Sequence, residues 1–176
     1  MNRIDCFVPF VSDEQVKVTA ANLRAEAEVA KVEYIDASIF KSTACVRKMA
    51  EAATAPFVMV YTKTTELSFG HFALERFLSI AEDTSAAMVY ADHFNEVDGN
   101  RAFAPVIDCQ QGALRDDFDF GSVMIYRTSA LKEAVARMDT DYEYAGLYDL
   151  RLKVSQKGSL VHINEYLYYE IETDTR

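Results

Sequence analysis

The chain has too little cysteine for a disulfide framework, and what it has is not grouped for zinc. Cys6, Cys45 and Cys109 are odd in number and far apart. They read as reduced, buried thiols in a cytoplasmic protein. Histidine is equally sparse, and His71, His93 and His162 form no His-x-x-x-His pair. Cations are short as well: 18 Lys and Arg stand against 28 Asp and Glu, a formal net charge of −10. Phosphate binding needs clustered Lys and Arg, so the balance argues against a nucleic-acid partner, and none is expected. No basic amphipathic stripe suggests a membrane surface. No apolar run approaches the length of a transmembrane helix, and Asp5 sits where a signal peptide would need its apolar core. Repeats and low-complexity segments are missing too. What remains is a 176-residue chain that is 50% hydrophobic. That is enough to bury one substantial core without covalent or metal staples. One domain is expected over 1–171. The polar stretch 172–176 then reads either as a natural end or as a linker to a further domain.

Apolar periodicity gives the order of elements. Ile4, Cys6, Phe7 and Val8 form a short run closed by Pro9, a first strand. Ser12 or Asp13 can cap a helix carrying Val16, Ala20, Leu23 and Ala27. Residues 31–35 read as a second strand ending at Asp36. Ser42 or Thr43 opens a second helix, which Pro56 stops. Phe57-Val58-Met59-Val60-Tyr61 is an unbroken apolar strand of the kind used in a sheet covered on both faces. A helix is expected over 68–82, with Phe69, Phe72, Phe77 and Leu78 on its apolar side. Residues 86–91 make a strand ending at Asp92. This alternation predicts a parallel sheet with right-handed crossovers. Beyond it come a turn-rich segment over 95–100, a strand over 101–107 and a surface loop over 109–116. A strand at 122–126, a helix at 129–138, a helix at 146–156 stopped by Gly158, and two short strands at 159–163 and 165–171 complete the chain.

Three stretches carry a resemblance. The first is Phe7-Val8-Pro9-Phe10 with Asp36-Ala37-Ser38. The second runs from Phe57 through Tyr61-Thr62-Lys63-Thr64 to Leu67, followed by Val89-Tyr90-Ala91-Asp92. The third is Phe118-Asp119-Phe120-Gly121 through Leu131, followed by Tyr148-Asp149-Leu150-Arg151-Leu152. In this order they resemble family 2 glycosyltransferases of the GT-A type. The resemblance implies an α/β three-layer sandwich around a mixed, mostly parallel sheet. It also implies transfer of a sugar from a nucleotide-sugar donor to a glycan or lipid-linked acceptor, in polysaccharide biosynthesis. Pro9, Phe10 and Asp36 would then contact the donor's base.

The chain departs from that family at two points. The family's Asp-x-Asp turn holds Mg²⁺ or Mn²⁺ against the diphosphate. Aligned here are Thr62 and Thr64 around Lys63, and threonine hydroxyls are poor ligands alone. Lys63 could neutralise the diphosphate directly, or be an ordinary solvated lysine. The family's Glu-Asp pair falls on Gly146-Leu147, which leaves Asp149 as the nearest carboxylate. Asp149 could serve as general base, or simply favour a helix amino terminus.

Other acids are read in the same two ways. Asp36 is a base contact or a turn residue beside Ser38. Asp92, with His93 next to it, is a phosphate or metal contact at the ligand edge of the sheet, or a turn-initiating acid. Asp116, Asp117 and Asp119 line an acceptor site, with Asp117 a second candidate base, or are solvated. Tyr148, near Tyr142 and Tyr144, is a sugar platform on the acceptor side, or packing. A catalytically inactive scaffold that binds glycan or assists assembly beside an active domain is the reading that competes with transfer.

Overall fold

The computed structural model describes residues 2–110, 112 and 114–172. In chain order the elements are β1 (Ile4–Phe10), α1 (Asp13–Arg24), β2 (Val29–Asp36), α2 (Thr43–Ala52), β3 (Phe57–Tyr61) and β4 (Glu66–Phe69). There follow α3 (Ala73–Thr84), β5 (Met88–Val97), β6 (Asn100–Ala104), β7 (Val123–Arg127), α4 (Thr128–Ala136), α5 (Gly146–Ser155) and β8 (Leu160–Glu172). The strands form one sheet in the order β2-β1-β3-β7-β5-β8-β4, with β6 added to β5. β2, β1 and β3 are parallel neighbours, and β5 runs parallel to β8. β7 is antiparallel to both β3 and β5, β4 to β8, and β6 to β5. The sheet is therefore mixed, with β1, β2, β3, β5 and β8 all pointing one way.

Helices cover both faces. Leu23 of α1 and Leu74, Phe77 and Leu78 of α3 pack against Ile4, Met59, Val89 and Ile125. On the other face Val46 and Met49 of α2, Leu131 of α4 and Leu150 of α5 meet Phe7, Val60, Tyr90 and Tyr126. Because both faces are covered, β3 is buried at every position, as its unbroken apolar run requires. Of the two candidates at the start of each of the first two helices, the serine is the cap. Ser12 accepts a hydrogen bond from the Gln15 N–H at 3.2 Å, and Ser42 accepts one from Cys45 at 3.1 Å.

Several boundaries move, each for a local reason. Residues 66–69 are a strand on β8 rather than the start of a helix. Thr19 Oγ1 accepts from the Leu67 N–H, and the Leu67 carbonyl accepts from Asn22, so α1 fixes this segment. Phe72, expected on an apolar helix side, precedes α3 in a left-handed conformation and is 66% exposed. The expected turn over 95–100 shrinks to Asp98-Gly99. Both have positive φ, the two-residue hairpin geometry that lets β5 run on to Val97. β6 stops at Ala104, because Pro105 has no N–H to give a ladder. The two strands expected at 159–163 and 165–171 are halves of β8, on either side of a register irregularity opposite Ala91 to His93. The last of the expected tail, 173–176, lies outside the described residues, and Glu172 belongs to β8. Among the described residues, no helix is long and apolar enough to cross a membrane.

Candidate functional site

Because β7 runs against β1 and β3, its amino end meets their carboxyl ends. The turn after Tyr61, the loop before Ser122 and the start of α5 therefore converge at one sheet edge. Two clefts open there. The smaller, about 290 Å³, is lined by Pro9, Ala37, Phe40, Lys41 and Thr62 to Thr65. The larger, about 710 Å³, is bounded by Asp116, Phe118 to Gly121, Tyr142, Tyr144, Tyr148, Asp149 and Arg151. Lys41, Thr62 and Lys63 line both, so the two clefts meet at the turn that ends β3.

The sequence candidates divide between these clefts and other places. Pro9, Thr62, Lys63 and Thr64 share the smaller cleft, while Asp119, Tyr148 and Asp149 share the larger. Asp36 is exposed and faces a separate groove of about 540 Å³ between β2 and α2. Its Oδ1 accepts from both the backbone N–H and the hydroxyl of Ser38, at 2.8 and 2.7 Å, which holds its carboxyl below the usual carboxylate range. The Phe10 ring lies 6.0 Å from that of Tyr34. Asp117 points outward and pairs with Arg115 at 3.4 Å. Asp92 is buried in the ladder between β5 and β8. It accepts from the Val106 N–H at 2.9 Å and meets His162 Nε2 at 2.7 Å, while Nδ1 of that ring lies 2.6 Å from Asp108. It thus holds the segment that follows β6 against the sheet.

At the junction of the clefts lies a group that sequence reasoning missed. Glu170 is 6% exposed, and its Oε2 receives the Lys63 ammonium at 2.6 Å. Its Oε1 accepts from the Ser122 hydroxyl and lies 3.4 Å from His93 Nε2. His93 stacks on Tyr168, ring centroids 4.8 Å apart, and the Tyr168 hydroxyl accepts from the Ser122 N–H at 3.0 Å. The signal for Glu170 was available as an acid one strand period after Tyr168, on the same face. Asp149 is similarly committed: Lys153, one turn on, donates to it at 3.0 Å. Arg151 differs. Its Nε is buried with no hydrogen-bond partner among the described residues, and its guanidinium lies 5.4 Å above the Phe120 ring.

A divalent cation finds little to hold it at the end of β3. Thr62, Lys63 and Thr64 offer no carboxylate, and among the described residues no three His, Cys, Asp or Glu side chains converge for a metal.

Burial holds the His93 imidazole below its ordinary value, with Glu170 and Asp119 pushing it up and Lys63 pushing it down. In the unfolded chain His93 takes up a proton near pH 6.5. The folded site resists that proton, so stability is full above this pH and declines as the solution is acidified through it. His93→Gln should flatten that decline. Thermal melts at pH 7.5 and 5.5 check this, and equal drops in the two proteins would refute it.

No protein-family model matches the chain, and no curated protein is recognisably similar to it in sequence. Solved structures do match. Residues 1–349 of Staphylococcus aureus TarS, a glycosyltransferase, superpose with a TM-score of 0.66 at 10% identity, covering 96% of this chain and 60% of that one. The chain and this TarS fragment share one fold. The same TarS fragment in complex with UDP-GlcNAc matches at 0.60 and 9% identity, covering 99% and 60%. Its UDP complex matches at 0.65 and 10%, covering 97% and 60%. The chain thus spans about 60% of the length of the TarS fragment. At this identity the likeness concerns architecture; the chemistry has to come from the clefts.

Proposed function

We propose that this chain is a glycosyltransferase-like domain that moves a sugar from a uridine-diphosphate donor to a hydroxyl of a glycan or lipid-linked acceptor. The observation that carries this reading is the meeting of two clefts at Lys63. One is small and lined by the ends of β1 and β3, the other large, aromatic and acidic. The donor's diphosphate occupies the smaller cleft, where Lys63 and Lys41 offset its charge in place of a cation. The acceptor lies across Tyr148 and Phe118 in the larger cleft. Its hydroxyl oxygen attacks the anomeric carbon, Asp149 takes the hydroxyl proton, and the carbon–oxygen bond to the diphosphate breaks with its electron pair leaving on the phosphate.

A second reading is favoured by two ion pairs. Lys63 is already held by Glu170, and Asp149 by Lys153. A scaffold that keeps the clefts for glycan binding beside an active domain would have this arrangement. Calorimetric titration with UDP and UDP-GlcNAc, with and without Mn²⁺, separates the two. The transferase reading expects micromolar binding that Mn²⁺ leaves unchanged. Binding that demands Mn²⁺ would refute the lysine-neutralised site, and no nucleotide binding would leave the scaffold.

A further inference from the structure

β6 is hydrogen-bonded to β5 on one side, and residues 100–103 are exposed, Phe103 at 71%. Its outer edge is a row of backbone donors and acceptors of the kind that recruits another strand. The hairpin fixes which groups those are. Val97 and Asn100 flank the two-residue turn as a hydrogen-bonded pair, and pairs alternate from there. Asn100, Ala102 and Ala104 therefore spend their N–H and C=O groups on β5, while those of Arg101 and Phe103 face away from it. The side chains of these two lie on the aromatic face of the sheet. The Arg101 guanidinium sits 4.6 Å over Tyr169 and 5.6 Å over Phe94, and Phe103 lies 5.2 Å from Phe94.

We propose that β6 pairs antiparallel with β6 of a second copy of this chain, about a two-fold axis at Ala102. In an antiparallel ladder, outward-facing residues must oppose outward-facing residues, which leaves three symmetric registers. Placing Arg101 opposite Arg101 sets two like charges side by side. Placing Phe103 opposite Phe103 brings Pro105, which has no N–H, against Arg101. The register centred on Ala102 sets each Arg101 beside the other copy's Phe103, a cation against a ring. Charge supports the choice of strand. On a chain of net charge −10, β6 carries no acid of its own, and its one arginine offsets Glu96 across the hairpin at 3.2 Å, so self-repulsion is weak there. Two five-residue edges and two phenylalanines bury less than a standard interface, so the dimer is concentration-dependent.

Cross-linking tests the register. In a Cys109→Ser background, which removes the partly exposed thiol and leaves the buried Cys6 and Cys45, Ala102→Cys is compared with Arg101→Cys under mild oxidation. Across the axis the Ala102 positions form a non-hydrogen-bonded pair with Cβ atoms about 5 Å apart, within disulfide reach. Cys at 102 is expected to give covalent dimer at least tenfold faster than Cys at 101. Light scattering on the unmodified chain should show the mass rising toward twice the monomer with concentration. Phe103→Pro, which removes one outward N–H and no bond to β5, should lower that rise. Equal cross-linking at 101 and 102, no cross-linking at 102, or a dimer untouched by Phe103→Pro would each overturn the proposal.

Discussion

Lys63→Ala is expected to cost about 2–3 kcal/mol of stability and to abolish UDP binding, and Glu170→Gln in the same chain is expected to recover the first loss but not the second. Removing the ammonium leaves a carboxylate that is 6% exposed, with the Ser122 hydroxyl and the His93 imidazole as its polar contacts among the described residues. Breaking a fully buried pair costs about 3–5 kcal/mol, and the half-exposed position of Lys63 moves the figure to the lower end. Glutamine at 170 keeps an oxygen for Ser122 and removes the charge that needed compensation. The double variant should therefore lie close to Glu170→Gln alone in a urea titration, with a coupling of about 1.5 kcal/mol or more. Additive losses would mean that the pair has no energetic reality.

The binding half of the experiment separates two roles of one lysine. If Lys63 serves the diphosphate, it has to be shared with Glu170, which competes for the same ammonium. Glu170→Gln then frees it and should tighten UDP binding several-fold. If Lys63 only neutralises Glu170, the same substitution leaves UDP affinity unchanged. Loss of binding in Lys63→Ala cannot by itself decide this, because the destabilised variant reshapes both clefts. The single change at Glu170 avoids that confusion.

What could be read from the sequence was whatever depends on near neighbours. β1 and β3 were legible as apolar runs, and α1 and α2 as runs opened by Ser12 and Ser42, because burial and capping act within a few residues. β4 was not, because Phe69, Phe72, Ala73 and Phe77 fall at helical spacing, while the decision for a strand is made by Thr19 and Asn22 of α1. The direction of β7 is nowhere in its residues. It follows from its place between β3 and β5. The site shows the same division. Lys63, Asp119, Tyr148 and Asp149 follow or precede elements whose ends meet at the sheet edge, and the structure gathers them there. Glu170 joins the candidate site because β8 returns beside β5; its alternation with Tyr168 is a local signal, but that pairing, some 75 residues apart, is not. The Asp36-x-Ser38 spacing, by contrast, carried its turn chemistry openly.

Gly146→Ala should be the most damaging single methyl in the chain, at about 3 kcal/mol, with loss of binding in the larger cleft. α5 begins directly against the start of α2. The Gly146 N–H donates to the Lys41 carbonyl at 2.8 Å, and a Cβ there would fall on the Ser42 and Thr43 backbone, 2.6 Å from the Ser42 oxygen. Backbone on both sides cannot swing away as a side chain would, so the helices must separate, an overpacking cost at the upper end of its usual range. The same junction holds the cleft wall. The Thr43 N–H donates to the Tyr142 carbonyl and the Tyr142 N–H to Thr43 Oγ1, both at 2.9 Å, and Asp149 lies one turn along α5. Separation would therefore move Tyr142 and Asp149 together. Urea unfolding should show a lower midpoint with an unchanged slope, and a midpoint equal to that of the unmodified chain would refute the packing argument. The same contact explains why an acid of the Glu-Asp type cannot occupy position 146. A glutamate there would need the space that the α2 backbone fills, and the carboxylate that α5 does present to this cleft is Asp149, buried in its first turn.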